Sequence, residues 1–229
     1  MKVLRTNKQI MKKYFTLVLC SFLFNGYVFS QNTESNDPVA QKILDQLSKA
    51  TKSYSSIKAN FTYTLENKKE NSKDSQNGQL FLKGDKYKLN IAGQEVICNG
   101  NTLWTLIIDA EEVQVSEPEY EDDAISPANI FTLYEKGFKY RFHSEEVKEG
   151  ATYQLVNLFP IDANGKPYHT IRLSINKNKN QLSSITVMGK EGDHYTYSIN
   201  SMVTDQDIPD AEFVFDPAKH PDIEVVDLR

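Results

Sequence analysis

Apolar residues recur at every second position along most of this chain. Ala59, Phe61, Tyr63 and Leu65 alternate with Asn60, Thr62, Thr64 and Glu66. Ile171, Leu173 and Ile175 alternate with Arg172 and Ser174, and Tyr195, Tyr197 and Ile199 with Thr196, Ser198 and Asn200. A period of two marks half-buried antiparallel strands. Strands are expected over 59–66, 79–83, 87–91, 95–98, 103–108, 113–116, 138–143, 152–159, 170–175, 182–188 and 195–201, with 212–215 and 224–226 closing the chain. Turn clusters such as Gly84-Asp85, Ala92-Gly93 and Asp162-Ala163-Asn164-Gly165 separate them, and the polar stretch 67–77 reads as a loop. Consecutive hairpins make a meander, and about eleven or twelve strands curl into a barrel or partial barrel to limit their edges.

Two stretches follow the helical period instead. Asp37 can cap a helix with Pro38 at its first position; Val39, Ile43, Leu47 and Tyr54 share a stripe with Leu44 beside it. Ser126-Pro127 opens a second, short helix carrying Ile130, Phe131, Leu133 and Tyr134, which Gly137 stops.

Residues 78–108 pose the main question. Asn99-Gly100 predicts a two-residue type I′ turn with φ > 0 at both positions. The strand after it carries Leu103 and Ile107 on one face and Trp104, Leu106 and Ile108 on the other. A strand apolar on both faces needs a cover on each side, or a guest on one.

The start of the chain is different in kind. Lys2, Arg5, Lys8, Lys12 and Lys13 precede a short apolar core over 15–24, and Val28-Phe29-Ser30 offers a cleavage site before Gln31. This pattern predicts a secretory signal peptide at 1–30 and a disordered tail at 31–36, with one domain over 37–229. Met11 is an alternative start. Cys20 follows Leu19 inside the apolar core, so it reads as part of that core and not as an acylation site. Cleavage would remove five cations and no carboxylate, taking the formal charge from −5 to −10. So acidic a chain is no nucleic-acid binder. Only Cys98 then remains, which reads as a small half-buried hydrophobe.

No phosphate loop, nucleophile elbow or His-Glu-x-x-His is present. The four histidines are isolated. The run Glu119, Glu121, Asp122 and Asp123 reads as a solvated loop. No enzyme, metal or cofactor is expected. What is abundant is apolar. Phe61, Tyr63, Leu65, Leu80, Leu82, Tyr87, Leu89, Ile91, Val96, Leu103, Ile107, Ile171, Leu173 and Tyr197 can line the inside of one curved sheet, together with Ile175, Tyr195 and Ile199. Trp104, from the same hairpin, is a further candidate. A filled core and a hollow one share this pattern.

The chain resembles the periplasmic outer-membrane lipoprotein carriers of the LolA family. The resemblance rests on Ile43-Leu44 with Leu47-Ser48, on 57–62, and on Gly78-Gln79-Leu80-Phe81-Leu82-Lys83. Asn99-Gly100-Asn101-Thr102-Leu103-Trp104, Ser126-Pro127 with Leu133, and Phe213-Val214-Phe215-Asp216 complete it. It implies a mainly β fold with helices: an incomplete antiparallel barrel with a helical lid, here Ile130, Phe131, Leu133 and Tyr134. It also implies a periplasmic carrier of lipidated proteins, loaded by an inner-membrane lipoprotein-releasing transporter and unloaded at an outer-membrane acceptor. Two other readings stay open: an outer-membrane-anchored receptor of the same fold, and an envelope protein binding another lipid or apolar small molecule. Well-known members have an arginine after the strand lysine that helps hold the lid closed; here that place is Gly84.

Overall fold

The computed structural model describes residues 36–118 and 125–229. The expected signal peptide, the tail up to residue 35 and the acidic residues of 119–124 lie outside the described residues. The chain then opens with helix α1, Pro38–Lys52. Asp37 Oδ1 accepts from the backbone N–H of Val39 at 2.8 Å and of Ala40 at 3.4 Å, so two otherwise orphaned donors are satisfied. The buried stripe is Ala40, Ile43, Leu44 and Leu47; Val39, expected on it, is 54% exposed. The stripe is rotated by one residue because Ala40 lets the helix approach the sheet closely.

Strands β1 to β6 are Ile57–Asn67, Ser72–Lys83, Lys86–Ile91, Gln94–Cys98, Leu103–Ile107 and Glu112–Ser116. Strands β7 to β11 are Phe138–Lys148, Ala151–Pro160, Tyr168–Asn176, Gln181–Gly189 and Asp193–Thr204, and β12 is Glu224–Asp227. All twelve join one sheet in the order β12-β6-β5-β4-β3-β2-β1-β11-β10-β9-β8-β7. Two meanders, β1–β6 and β7–β11, are joined where β1 pairs with β11. Among the described residues every pairing is antiparallel except β12 with β6. The sheet is open: β7 and β12 are its two edges. The link from β6 to β7 must therefore travel from near one edge to the other.

Three local expectations are corrected. The stretch 67–77 is a loop only at 68–71; from Ser72 it is strand. Its backbone is satisfied by β1, and polar cross-strand pairs such as Thr62–Asn77 and Thr64–Ser75, each 3.0 Å, need no core beneath them. The link at Asn99-Gly100 is a four-residue loop between paired Cys98 and Leu103. Only Gly100 has positive φ there, and the Asn99 side chain accepts from the N–H groups of Asn101 and Thr102. The tight two-residue turn sits one hairpin earlier, at Ala92 (φ 56°) and Gly93 (φ 73°). Residues 212–215 are not a strand; a 3-10 turn covers Asp210–Phe213.

Both faces of β5 are covered, each differently. On the convex side Trp104 and Leu106 pack with Ile97, Val113, Phe215 and Ile223, so the C-terminal arm closes that face. On the concave side Leu103 joins the main core, as do buried Cys98 and half-buried Val96.

Candidate functional site

The main core is not uniformly filled. Under α1, the residues Val156, Leu158, Ile171, Leu173 and Ile175 are at most 1% exposed. Beyond the helix, the same concave face borders a cavity of about 260 Å³. Its floor is Ala59, Phe61 and Tyr63 of β1, Leu80 of β2, Leu89 and Ile91 of β3, Leu182 and Ile185 of β10, and Tyr197 and Ile199 of β11. Its roof is Ile125, Ser126, Pro127, Ile130 and Phe131.

One glycine shapes the floor. A Cβ on Gly78 would lie 2.3 Å from Cζ of Phe61, so the Phe61 ring can lie flat on β2 only because position 78 has no side chain. A tilted ring would occupy the hollow. The aromatic wall continues through Tyr197 to Tyr63, with ring centroids 6.2 Å and then 5.3 Å apart. Burial raises the phenol pKa of Tyr197 and Tyr63, so this wall stays neutral.

The roof is a chain of turns where a short α-helix was expected. Asn129 N–H donates to Ser126 O, Thr132 N–H to Asn129 O and Glu135 N–H to Thr132 O, ending in a 3-10 turn at Leu133–Glu135. These are successive single turns and not one continuous α-helical ladder. The Asn129 side chain accepts from Ser126 N–H, and β-branched Ile130 and Thr132 disfavour helix further. Leu133 and Tyr134 are buried in the core instead of bordering the cavity. Burial pushes the Tyr134 phenol pKa strongly up; its hydroxyl faces Thr51 without a well-formed hydrogen bond.

Of the expected lining residues, the structure brings Phe61, Tyr63, Leu80, Leu89, Ile91, Tyr197 and Ile199 to the cavity, with Ile130 and Phe131 above. Leu82, Tyr87, Ile171, Leu173 and Ile175 are buried core, and Val96, Leu103 and Tyr195 pack against it. Leu65 and Ile107 are half-buried and border neither core nor cavity. Trp104 is corrected outright: it belongs to the convex cluster beneath Phe215, on the far side of the sheet. Strand alternation already put it opposite Leu103. Missed were Ala59, Leu182, Ile185 and the stretch Ile125-Ser126-Pro127. Ile185 alternates with Ser184 and Thr186, so its inward direction was readable.

A family model for the outer membrane lipoprotein carrier protein LolA matches residues 52–216. The chain belongs to the LolA family. No curated protein matches it. Among solved structures, it is similar to an uncharacterized conserved protein from Thermus thermophilus at 12% identity and TM-score 0.53, covering 82% of this chain and 99% of that one. It is also similar to lipoprotein LppX of Mycobacterium tuberculosis, at 11% identity and TM-score 0.49, over 76% of this chain and 99% of that one. A LolA superfamily protein from Nitrosomonas europaea matches at 15% identity and TM-score 0.41, over 77% and 97%. At 12% identity the likeness to the Thermus thermophilus protein speaks for the fold alone.

Against the LolA family, the position of the latch arginine is informative. Gly84 sits in the β2–β3 turn at φ 58°, and a Cβ there would meet nothing within 4 Å. The preceding Lys83 donates to Ile208 O and Asp210 and so serves the C-terminal arm. The roof is tied to α1 instead. Glu135 accepts from Ser48 Oγ at 2.5 Å and pairs with Lys52 Nζ at 2.8 Å, joining the end of the roof to α1. Burial alone would raise the Glu135 pKa, but the bonds from Lys52 and Ser48 outweigh it and hold the carboxyl below the usual range.

Proposed function

We propose that this protein is a periplasmic carrier that shelters the acyl chains of lipidated proteins in the concave cavity and moves them from the inner to the outer membrane. The observation that carries the reading is a hollow with an apolar floor beneath a roof of single turns. Each CH₂ sheltered from water is worth about 0.8 kcal/mol. A carrier need not collect that sum; it exchanges one oily environment for another, with lid opening as the opposing cost. With no nucleotide-binding motif in the chain, loading draws on an inner-membrane lipoprotein-releasing transporter, and unloading on an outer-membrane acceptor. No catalytic step is assigned.

The cavity is just below the roughly 300–1,000 Å³ usual for ligand pockets. A lipoprotein anchor therefore requires Ile130 and Phe131 to swing aside. The same size favours a second reading, an envelope protein that holds a smaller apolar molecule. Extraction of the protein from its native envelope separates the two. An acylated polypeptide in the extract supports the carrier; a free lipid or pigment precursor supports the second reading. The mass of the mature N-terminus completes the test: Gln31 is expected, and acyl-Cys20 would mean an anchored receptor. Leu89→Asp should lower uptake of an apolar fluorescent probe by about tenfold, the cost of an unpaired polar group facing the chain. Unchanged uptake by the folded variant would remove the cavity from the reading.

A further inference from the structure

A second hollow adjoins the cavity. Its volume is about 520 Å³, and it shares Ile125 and Tyr197 with the first and runs on toward the β10–β11 hairpin. Its floor is Val187 and Tyr195, one step further along the strands that carry Ile185 and Tyr197. Its walls are held in place. Lys190 donates from its backbone to Pro167 O at 2.9 Å and from Nζ to Ala163 O at 3.0 Å, tying the β8–β9 link to the hairpin. At its rim stand Lys166, Glu191 and Asp193, whereas among the described residues the floor and roof of the first cavity carry no charged side chain.

Polarity therefore rises from the first hollow to the second, which meet at Ile125 and Tyr197. We infer that the groove seats the polar, ester-linked end of the ligand whose acyl chain lies in the cavity. The ligand is held chain-end toward Ala59 and Leu80, and its head leaves at the β10–β11 end of the sheet. The rim carries two carboxylates, Glu191 and Asp193, against one ammonium, Lys166, a balance that favours a neutral head, as in an acylglycerol, over a carboxylate. The inference rests on the reading of the cavity as an acyl-chain site.

Two photoreactive monoacylglycerols test it on the full-length protein, one with its diazirine at the chain terminus and one beside the glycerol. The terminal probe should label 59–61 and 80–82, and the glycerol-proximal probe 165–168 and 187–195. The reverse pattern, or the same peptides from both probes, would overturn the orientation while leaving the acyl-chain site standing. No labelling by either probe would overturn the acyl-chain site and the inference with it. The head preference is read separately. Monoacylglycerol should bind more tightly than the fatty acid of equal chain length, and Glu191→Lys should narrow that ratio about two- to fivefold, the worth of one exposed charge pair. An unchanged ratio in the variant would mean that the head lies elsewhere.

Discussion

The two halves of the concave face share one pattern and end in opposite states. On the β8–β9 side, Val156, Leu158, Ile171 and Leu173 are all 0% exposed. On the β1–β3 and β11 half, Tyr63, Leu89, Ile91, Tyr197 and Ile199 are half-buried and border a hollow. The alternation does not differ; the cover does. A capped helix of 15 residues sends four side chains into the first half. A roof of successive turns spans the second. Successive turns without a continuous helical ladder sit nearer the low-stability end of a fold than a capped helix does. A hollow face is thus made by what lies over it more than by the strands that form it.

The sharpest way to break this comparison is to truncate one leucine on each side. Leu173→Ala should cost about 2–5 kcal/mol, because tight surroundings cannot collapse into the space. Leu89→Ala, already beside empty space, should cost about 1 kcal/mol or less, the residual transfer loss of a half-buried side chain. Urea unfolding of both variants decides the matter; equal losses would mean the β1–β3 half is as filled as its neighbour. Gly78→Ala sharpens it from the other direction. The added methyl must push the Phe61 ring off β2 and into the hollow, so apolar-probe capacity should fall several-fold while the melting temperature changes little. Unaltered capacity would show that Phe61 does not bound the cavity.

These contrasts explain how much of the fold was legible in the sequence. Strands were legible because alternation survives any cover: Ala59, Phe61 and Tyr63 point inward as their spacing requires, and Asp37-Pro38 announced the helix. The stretch Ser72–Asn77 was not, because a strand lying beyond the core needs no apolar residue and is specified by its partner β1. Leu173 and Leu89 occupy equivalent places in their patterns, so nothing local distinguishes core from cavity lining. Trp104 was misplaced for a related reason. Its strand is apolar on both faces, and the partner that covers the outer one, Phe215, lies far along the chain in its C-terminal arm. The roof misled because Ser126-Pro127 opens turns and helices alike.

The convex side supplies the next test, since its cover is held by charge. Asp210 bridges Lys83 at 2.9 Å and Lys86 at 2.8 Å, and Lys88 lies 3.8 Å from Glu212. Hydrogen bonds from Lys86 and Lys83 hold the Asp210 carboxyl down at about 2, from an ordinary 3.8. A carboxyl depressed in the folded state contributes above its unfolded pKa and loses that contribution as pH falls through the folded one. The arm should therefore loosen between about pH 4 and pH 2 while the concave core stays packed. Trp104 is the chain's single tryptophan and lies in the cluster that Phe215 covers, so its fluorescence should shift toward the red in that window. Asp210→Asn should abolish the acid step. A step that persists in the variant would assign it to another carboxylate.

The smallest expected effect concerns the roof itself. Glu135 ties it to α1 through Lys52 and Ser48, but the Lys52 side chain is 61% exposed. Screening by water limits such a pair to about 0.2–1 kcal/mol. Glu135→Gln keeps the volume and loses the charge, so global stability should change by no more than that. The rate of probe entry should nevertheless rise, by up to about fivefold, because the same free energy now favours the open roof. Stopped-flow uptake measures this directly, and added salt should raise the wild-type rate toward that of the variant. Were entry instead unchanged in Glu135→Gln, the barrier would lie in the packing of Leu133 and Tyr134. The roof would then open by withdrawing those two side chains from the filled half, coupling the two halves that differ so clearly at rest.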